Sequence, residues 1–501
     1  MVRLDPTSLL ALLGAARGLS QIVYPIKLMK IIPHGAAREV TGSCHEIQVQ
    51  TPSGLKRILL DCGLFQGKRQ ESAVKNAQFS FDPAQDIDAV VLTHAHMDHV
   101  GRIPLLYKKG FRGQVHCTYA TKDLAEVMLQ DGGYIQEKDE EYFRKHLQKS
   151  MIPCDGPLYT QQDAIDCMEI FHGQNYGEWF VVCDGIKAQF LEAGHIVGAA
   201  MVVLEVTEGN TVQHIGFTGD LGRNTLPIIR DPAQMPPVDV LICESTYGNR
   251  NHEDITMARN HLRDVVTKTA KRGGKVLIPA FSLERTQEIV YDLHVLWDAK
   301  EIPATPIYID SPLASRVTEV FMKHSECYDQ QMYEQFLARA HNPFQFSLVK
   351  YTESVEESKA LNGIPGPAII MAGSGMCEAG RIRHHLRNEI EDERNTVLVV
   401  GYMAGNTLGK RIVDSEVTAV KIFDEMYQKK AEVVYINAYS GHADMIDLEN
   451  FVTKVEGLQK LILVHGEIDQ MEPFAERIRH IKDSVGIVLP EREEKIVIED
   501  G

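Results

Sequence analysis

From residue 56 to 248 the chain alternates short apolar runs with polar turns. The stretches KRILLDCG (56–63), DAVVLTHAH (88–96), GQVHCT (113–118), AAMVVLEV (199–206), TVQHIGFTGDLG (211–222) and VDVLICESTYG (238–248) each read as a strand. Between Thr121 and Phe171 the pattern turns helical, and QEKDEEYFRKHLQK (136–149) predicts a solvent-exposed helix. After Gly248 the style changes. A helical pattern over 257–272 leads to the apolar run KVLIPA (275–280), a helix over 284–298, the strand TPIYID (305–310) and another helix. GPAIIMAGSGM (366–376) and NTVLVVGY (395–402) continue the alternation, which predicts parallel βαβ units. Beyond residue 410 the earlier pattern returns, with AEVVYINAYSGH (431–442) and KLILVHGE (460–467). One domain interrupted by a second accounts for this order.

Composition narrows the class. The 501 residues are 44% hydrophobic and 24% charged, as in a globular chain with large cores. A net charge of −17 excludes a generally basic nucleic-acid-coating protein. It does not exclude a nucleic-acid enzyme, because metal ions can hold phosphate inside an acidic shell. The nine cysteines, odd in number and without a C-x-x-C, predict a reducing, cytoplasmic setting. No apolar run approaches the ~18–20 residues of a spanning helix, so no membrane association is expected. The first 26 residues carry a short apolar core, LLALLGAA, that resembles a weak signal peptide. Asp5 and Pro6 stand where positive charge is wanted, and an amphipathic extension is the expectation.

The chemistry concentrates in THAHMDHVG (93–101). His94 and His96 are two apart, so at a strand end both point to one side, and Asp98 and His99 follow in an expected loop. One tetrahedral zinc takes three or four N/O ligands. Two histidines followed by an Asp–His pair therefore suggest two adjacent metals sharing one loop. Further ligands are sought at strand ends beside glycine, where backbone can approach closely. His195 in EAGHIVGAA, Asp220 in FTGDLG and His465 in LVHGE fit.

These islands resemble the metallo-β-lactamase superfamily, and more closely its β-CASP nucleic-acid-processing branch. Asp61 matches the first motif of that family, His94, His96, Asp98 and His99 the second, His195 the third and Asp220 the fourth. Glu244, His442 and His465 match the branch motifs A, B and C. The strings IPAFSLERTQE (278–288), DSPLA (310–314), GSGMCEAGR (373–381) and GYMAGNTLG (401–409) extend the likeness from about Lys27 to the C-terminus.

The resemblance implies an α/β fold, an αββα sandwich (27–248 and 411–501) carrying an inserted parallel-sheet β-CASP domain (249–410). It implies two zinc ions, one on His94, His96 and His195, the other on Asp98, His99 and His465, with Asp220 bridging. It further implies a ribonuclease leaving 5′-phosphate and 3′-hydroxyl. His442 would be the general acid, Glu244 its orienting partner, and Asp61 would orient a ligand histidine. Ser374, Gly375, Met376 and Arg381 would meet substrate phosphate at a Gly-rich turn before a helix. RNA is the expected partner, and a homodimer is expected as in similar proteins. Endonuclease and 5′-exonuclease modes stay open. The alternatives are a DNA-processing β-CASP nuclease, which typically lacks the motif C histidine, and a non-catalytic scaffold subunit, which would have lost ligands. Arg102 and Lys410 are expected to be solvated surface charges, and His116, His172 and His261 to be structural.

Overall fold

In the central strands odd and even positions are both apolar, and they serve different layers. Ile47, Ile58, Leu60, Val202, Val240 and Ile462 belong to one buried cluster. Their chain neighbours Leu59, Met201, Val203, Leu241 and Leu461 belong to another. Successive strand side chains point to opposite faces. Both faces of each sheet are therefore covered, which requires two sheets face to face with helices outside. This is the expected αββα sandwich. The computed structural model describes residues 29–146 and 156–499 apart from 210, 337, 339, 340 and 402, so the N-terminal extension and the end of the 136–149 run lie outside the described residues.

The first sheet runs, in spatial order, Ile496–Ile498, Met29–Gly35, Cys44–Thr51, Gly54–Leu60, Ala89–Val91, Gln114–Thr118 and Phe171–Gln174. The second runs Gly486–Val488, Lys460–Val464, Val240–Glu244, Thr211–Phe217, Ala200–Glu208, Ile186–Glu192 and Trp179–Cys183. Val240–Glu244 and Lys460–Val464 pair in parallel as neighbours. Between them the chain makes its long excursion and builds a third, six-stranded parallel sheet. Its order is Val349–Tyr351, Ile307–Ile309, Ala368–Ala372, Lys275–Pro279, Thr396–Val400 and Glu432–Ile436.

That last strand lies beyond the boundary expected at residue 411. Glu432–Ile436 hydrogen-bonds to Thr396–Val400 over five residue pairs, so the inserted sheet closes some 25 residues later than the change of pattern suggests. The short hairpin Ala419–Ile422/Glu425–Gln428, packed beside the helices, mimics the outer domain's style. Among the described residues no helix is long and apolar enough to cross a membrane. All eight described cysteines are free.

Candidate metal centre

Strand ends deliver the polar residues. Asp61 follows Gly54–Leu60, His94 follows Ala89–Val91, Asp220 follows Thr211–Phe217, Glu244 ends Val240–Glu244, and His465 follows Lys460–Val464. His195 lies on the turn between Ile186–Glu192 and Ala200–Glu208. Asp61 and His465 have positive φ (62° and 48°), which swings the chain sharply across the sheet edge. Asp98 and His99 occupy one helical turn, Met97–Val100, rather than the expected loop. That turn is stitched to the strand end beside it: Cys62 N donates to His99 O and Ser43 N to Asp98 O, both at 2.8 Å. A Cβ on Gly63 would stand 1.6 Å from the Asp98 carbonyl oxygen, so glycine alone permits this approach.

The seven residues converge as two groups. Ligand atoms of His94, His96, His195 and Asp220 lie within 4.8 Å of one another, as do those of Asp98, His99 and His465. His96 Nδ1 is 3.0 Å from His94 Nε2 and 3.2 Å from His195 Nε2. Nitrogens bound at ~2.0–2.1 Å around a tetrahedral ion stand about that far apart. Asp220 faces both groups. Its Oδ2 is 3.5 Å from His94 Nε2 and 3.6 Å from His195 Nε2, while Oδ1 is 3.2 Å from His99 Nε2 and 3.5 Å from His465 Nδ1.

Hydrogen bonds from the surroundings choose the tautomers. Thr93 Oγ1 donates to Asp61 and accepts from His94 Nδ1 at 3.1 Å. His195 Nδ1 donates to Gly441 O (3.0 Å), His99 Nδ1 to Asp61 Oδ2 (2.7 Å) and His465 Nδ1 to Thr246 Oγ1 (3.1 Å). Each ring therefore turns its Nε2 inward. His99 Nε2, His465 Nε2 and Asp220 Oδ1 are buried and have no hydrogen-bond partner. Buried acceptors of this kind call for a cation.

Electrostatics agree. Burial pushes His94 and His195 well below the usual imidazole range and His96 down to about 4. Burial opposes ionisation of Asp220, but His465, His99 and His442 hold its carboxyl well below the carboxylate range. His99 is the exception. Burial lowers it, yet Asp220 and Asp61 together push it up, and a cation on Nε2 would take the place of that proton. The donor set fits divalent metal, and His/Asp clusters of this composition suit zinc.

His442 sits beside these groups. It lies on the return from the insertion, where Ala443 N donates to Leu221 O at 2.7 Å. Its Nδ1 is 3.2 Å from Glu244 Oε1 and 3.9 Å from Asp220 Oδ2. Glu244 is fully buried and fixed by Leu221 N at 2.6 Å. Burial lowers the His442 pKa, but Glu244 and Asp220 outweigh it and carry the group up to about 9. With 22% of its side chain exposed, the imidazole faces the open side of the centre.

Asp61 is a hub: besides His99 it accepts from Thr93 N, Thr93 Oγ1 and Ser43 Oγ at 2.8–3.1 Å. Asp61→Asn is expected to lower metal affinity about 10- to 100-fold with little change in fold, measured by competition with a chelating dye.

Other expectations land elsewhere. Arg102 is not a surface charge. It is 2% exposed, donates to Gly63 O (2.8 Å) and lies over the rings of Phe65 and Phe79. Arg381 is spent within the insertion, donating to Asp310 Oδ1 (2.7 Å) and Glu353 O (2.6 Å). Ser374 Oγ closes its own turn on Ala379. Both side chains thus have partners within the protein. Sequence reasoning missed Thr93, Thr246 and Ser43, whose one signal is adjacency to a matched motif, and Glu284, which carries no signal at all.

An αββα sandwich with imidazole–carboxylate clusters at its strand ends defines a metallo-hydrolase. Family models match in three blocks: a Beta-lactamase superfamily domain over residues 56–279, a Beta-Casp domain over 286–412 and a Zn-dependent metallo-hydrolase RNA specificity domain over 426–490. Ribonuclease TTHA0252 of Thermus thermophilus is 39% identical over 443 residues, covering 88% of this chain and 94% of that protein. Transcription termination factor FttA of Methanocaldococcus jannaschii is 31% identical, covering 89% and 68%. Endoribonuclease ysh1 of Schizosaccharomyces pombe is 30% identical, covering 93% of this chain but 58% of that longer protein. A crystal structure of an Enterococcus faecalis protein of unknown function superposes with a TM-score of 0.53 at 14% identity over 94% of this chain and 100% of that one, a likeness of fold alone. The chain belongs to the β-CASP family of metallo-β-lactamase-fold hydrolases.

Proposed function

We propose that the chain is a zinc-dependent ribonuclease with two metal ions, hydrolysing RNA to 5′-phosphate and 3′-hydroxyl ends. One observation carries the reading: the two oxygens of Asp220 face different imidazole clusters, and His99 Nε2, His465 Nε2 and Asp220 Oδ1 are buried without a hydrogen-bond partner. Zinc held there would supply Lewis acidity, lowering the pKa of water and offsetting charge on the phosphoryl oxygens. His94, His96 and His195 would hold one ion, Asp98, His99 and His465 the other, and Asp220 would bridge. Asp61 keeps His99 in its ligand tautomer. His442 hands a proton to the departing 3′ oxygen, and Glu244 keeps the imidazole charged and aimed. The DNA-processing and scaffold alternatives are disfavoured by the presence of His465 and by the complete ligand set.

At the Gly-rich turn, Ser374, Gly375, Met376 and Arg381 are the proposed substrate contacts. Gly375 abuts Phe281, a ring 48% exposed and suited to stacking a base. Free cysteines accord with a cytoplasmic setting, and a homodimer is proposed from the resemblance.

The test uses one RNA sequence as 5′-phosphate, 5′-hydroxyl and circular forms, with and without chelator. Cleavage that chelator abolishes and zinc restores supports the reading. Cutting of the circle assigns endonuclease action, and dependence on a 5′-monophosphate assigns exonuclease action. Absence of zinc-dependent cleavage of every form overturns the proposal.

A further inference from the structure

Glu284 lies against the metal centre yet has no part in the chemistry above. It belongs to the insertion, between the strand Lys275–Pro279 and the helix Arg285–Asp298. Its backbone has φ 71° and ψ −64°, and Arg285 N donates to Leu283 O across it at 3.0 Å. This is the uncommon γ-turn of positive φ, unfavourable for any residue bearing a Cβ. The turn throws the side chain inward, where the residue is only 6% exposed. Its Oε1 is buried without a hydrogen-bond partner.

The carboxyl group rests on Gly441. A Cβ there would stand 3.0 Å from Glu284 Oε2, 3.1 Å from Oε1 and 3.2 Å from His195 Nδ1. Because residue 441 has no side chain, the carboxyl reaches the backbone immediately before His442. Glu284 is not a member of any of the ligand-atom groups gathered within 4.8 Å, so metal does not account for it. A buried acceptor that neither protein nor metal satisfies is suited to a donor that arrives with the substrate.

The chemistry says which donor. His442 protonates the 3′ oxygen of the nucleotide upstream of the cut. In RNA the adjacent ribose carbon carries a hydroxyl, and in DNA it carries none. With O3′ at His442, a 2′-hydroxyl turned toward residue 441 would meet the carboxyl that rests there. Resting on the ribonuclease reading above, we infer that Glu284 accepts a hydrogen bond from the 2′-hydroxyl of the nucleotide 5′ to the scissile phosphate and so selects RNA over DNA. The insertion would then contribute the sugar specificity, and the sandwich the hydrolytic centre.

The test crosses enzyme variants with substrates. The enzymes are wild type, Glu284→Gly, which removes the carboxyl and accepts the positive φ without strain, and Glu284→Gln, which keeps the shape and one acceptor oxygen. The substrates are one RNA and the same RNA with a single 2′-deoxy nucleotide at the upstream position. Zinc content and Tm of each variant are recorded alongside kcat/KM. Wild type is expected to lose about 10- to 100-fold on the deoxy substrate, as for a buried polar group left without its partner. Glu284→Gly is expected to lose a similar factor on RNA and nothing further on the deoxy substrate, with Glu284→Gln between the two. Equal deoxy penalties in wild type and Glu284→Gly overturn the inference, whatever the absolute rates. If wild type with zinc does not cut the RNA, the ribonuclease reading fails first and the inference with it.

Discussion

Asp220→Ala is expected to release metal from both clusters together and to lower RNA cleavage at least about 10³-fold. The reason is geometric. Asp220 turns one oxygen toward each group, and its loss leaves three histidines on one side and Asp98, His99 and His465 on the other. Without the bridge, the two sites also lose the shared charge that offsets two nearby cations. Metal ions contribute several kcal/mol to hydrolysis. At about 1.4 kcal/mol per tenfold change, their loss corresponds to the factor given. Elemental analysis of purified protein reads the metal, and initial rates read the chemistry. Retention of both ions in the variant would contradict the bridging role.

His442→Ala separates proton donation from metal binding. The imidazole lies 3.9 Å from Asp220 but is held by Glu244 rather than by the clusters. The variant is expected to keep its full zinc content and Tm while cleavage falls about 10²- to 10⁴-fold, the range for loss of a positioned general acid. A substrate with sulfur in place of the bridging 3′ oxygen sharpens the contrast. A thiolate leaves without help from an acid, so the variant should regain most of the lost rate on it. Loss of zinc in His442→Ala would make the residue a ligand. An undiminished penalty on the sulfur substrate would exclude it as the acid.

What the sequence makes legible depends on how locally each feature is encoded. H-x-H-x-D-H follows its own strand, and the period-two rule already puts two rings on one side. His195, Asp220 and His465 are visible because each needs a glycine-flanked turn at a strand end. The two-layer architecture is legible from apolar runs too continuous for half-exposed strands. Partners far apart in the chain are not. Arg381 finds Asp310 at 71 residues' separation, and Arg102 finds its two phenylalanine rings only after the 61–102 segment has closed on itself. Glu432–Ile436 reads like an outer-domain strand because its apolar pattern matches either sheet, and only its pairing register assigns it. Glu284 looks like the first residue of a helix. A backbone turn of positive φ, invisible in composition or period, sends its carboxyl inward.

The proposed two-ion centre is tested most directly by anomalous diffraction at the zinc absorption edge, on crystals of the unsubstituted protein grown with zinc. Two peaks are expected in each chain, one within bonding distance, ~2.0–2.2 Å, of His94, His96, His195 and Asp220, the other of Asp98, His99, His465 and Asp220. A single peak, or peaks that leave Asp220 bound to one ion only, would contradict the account.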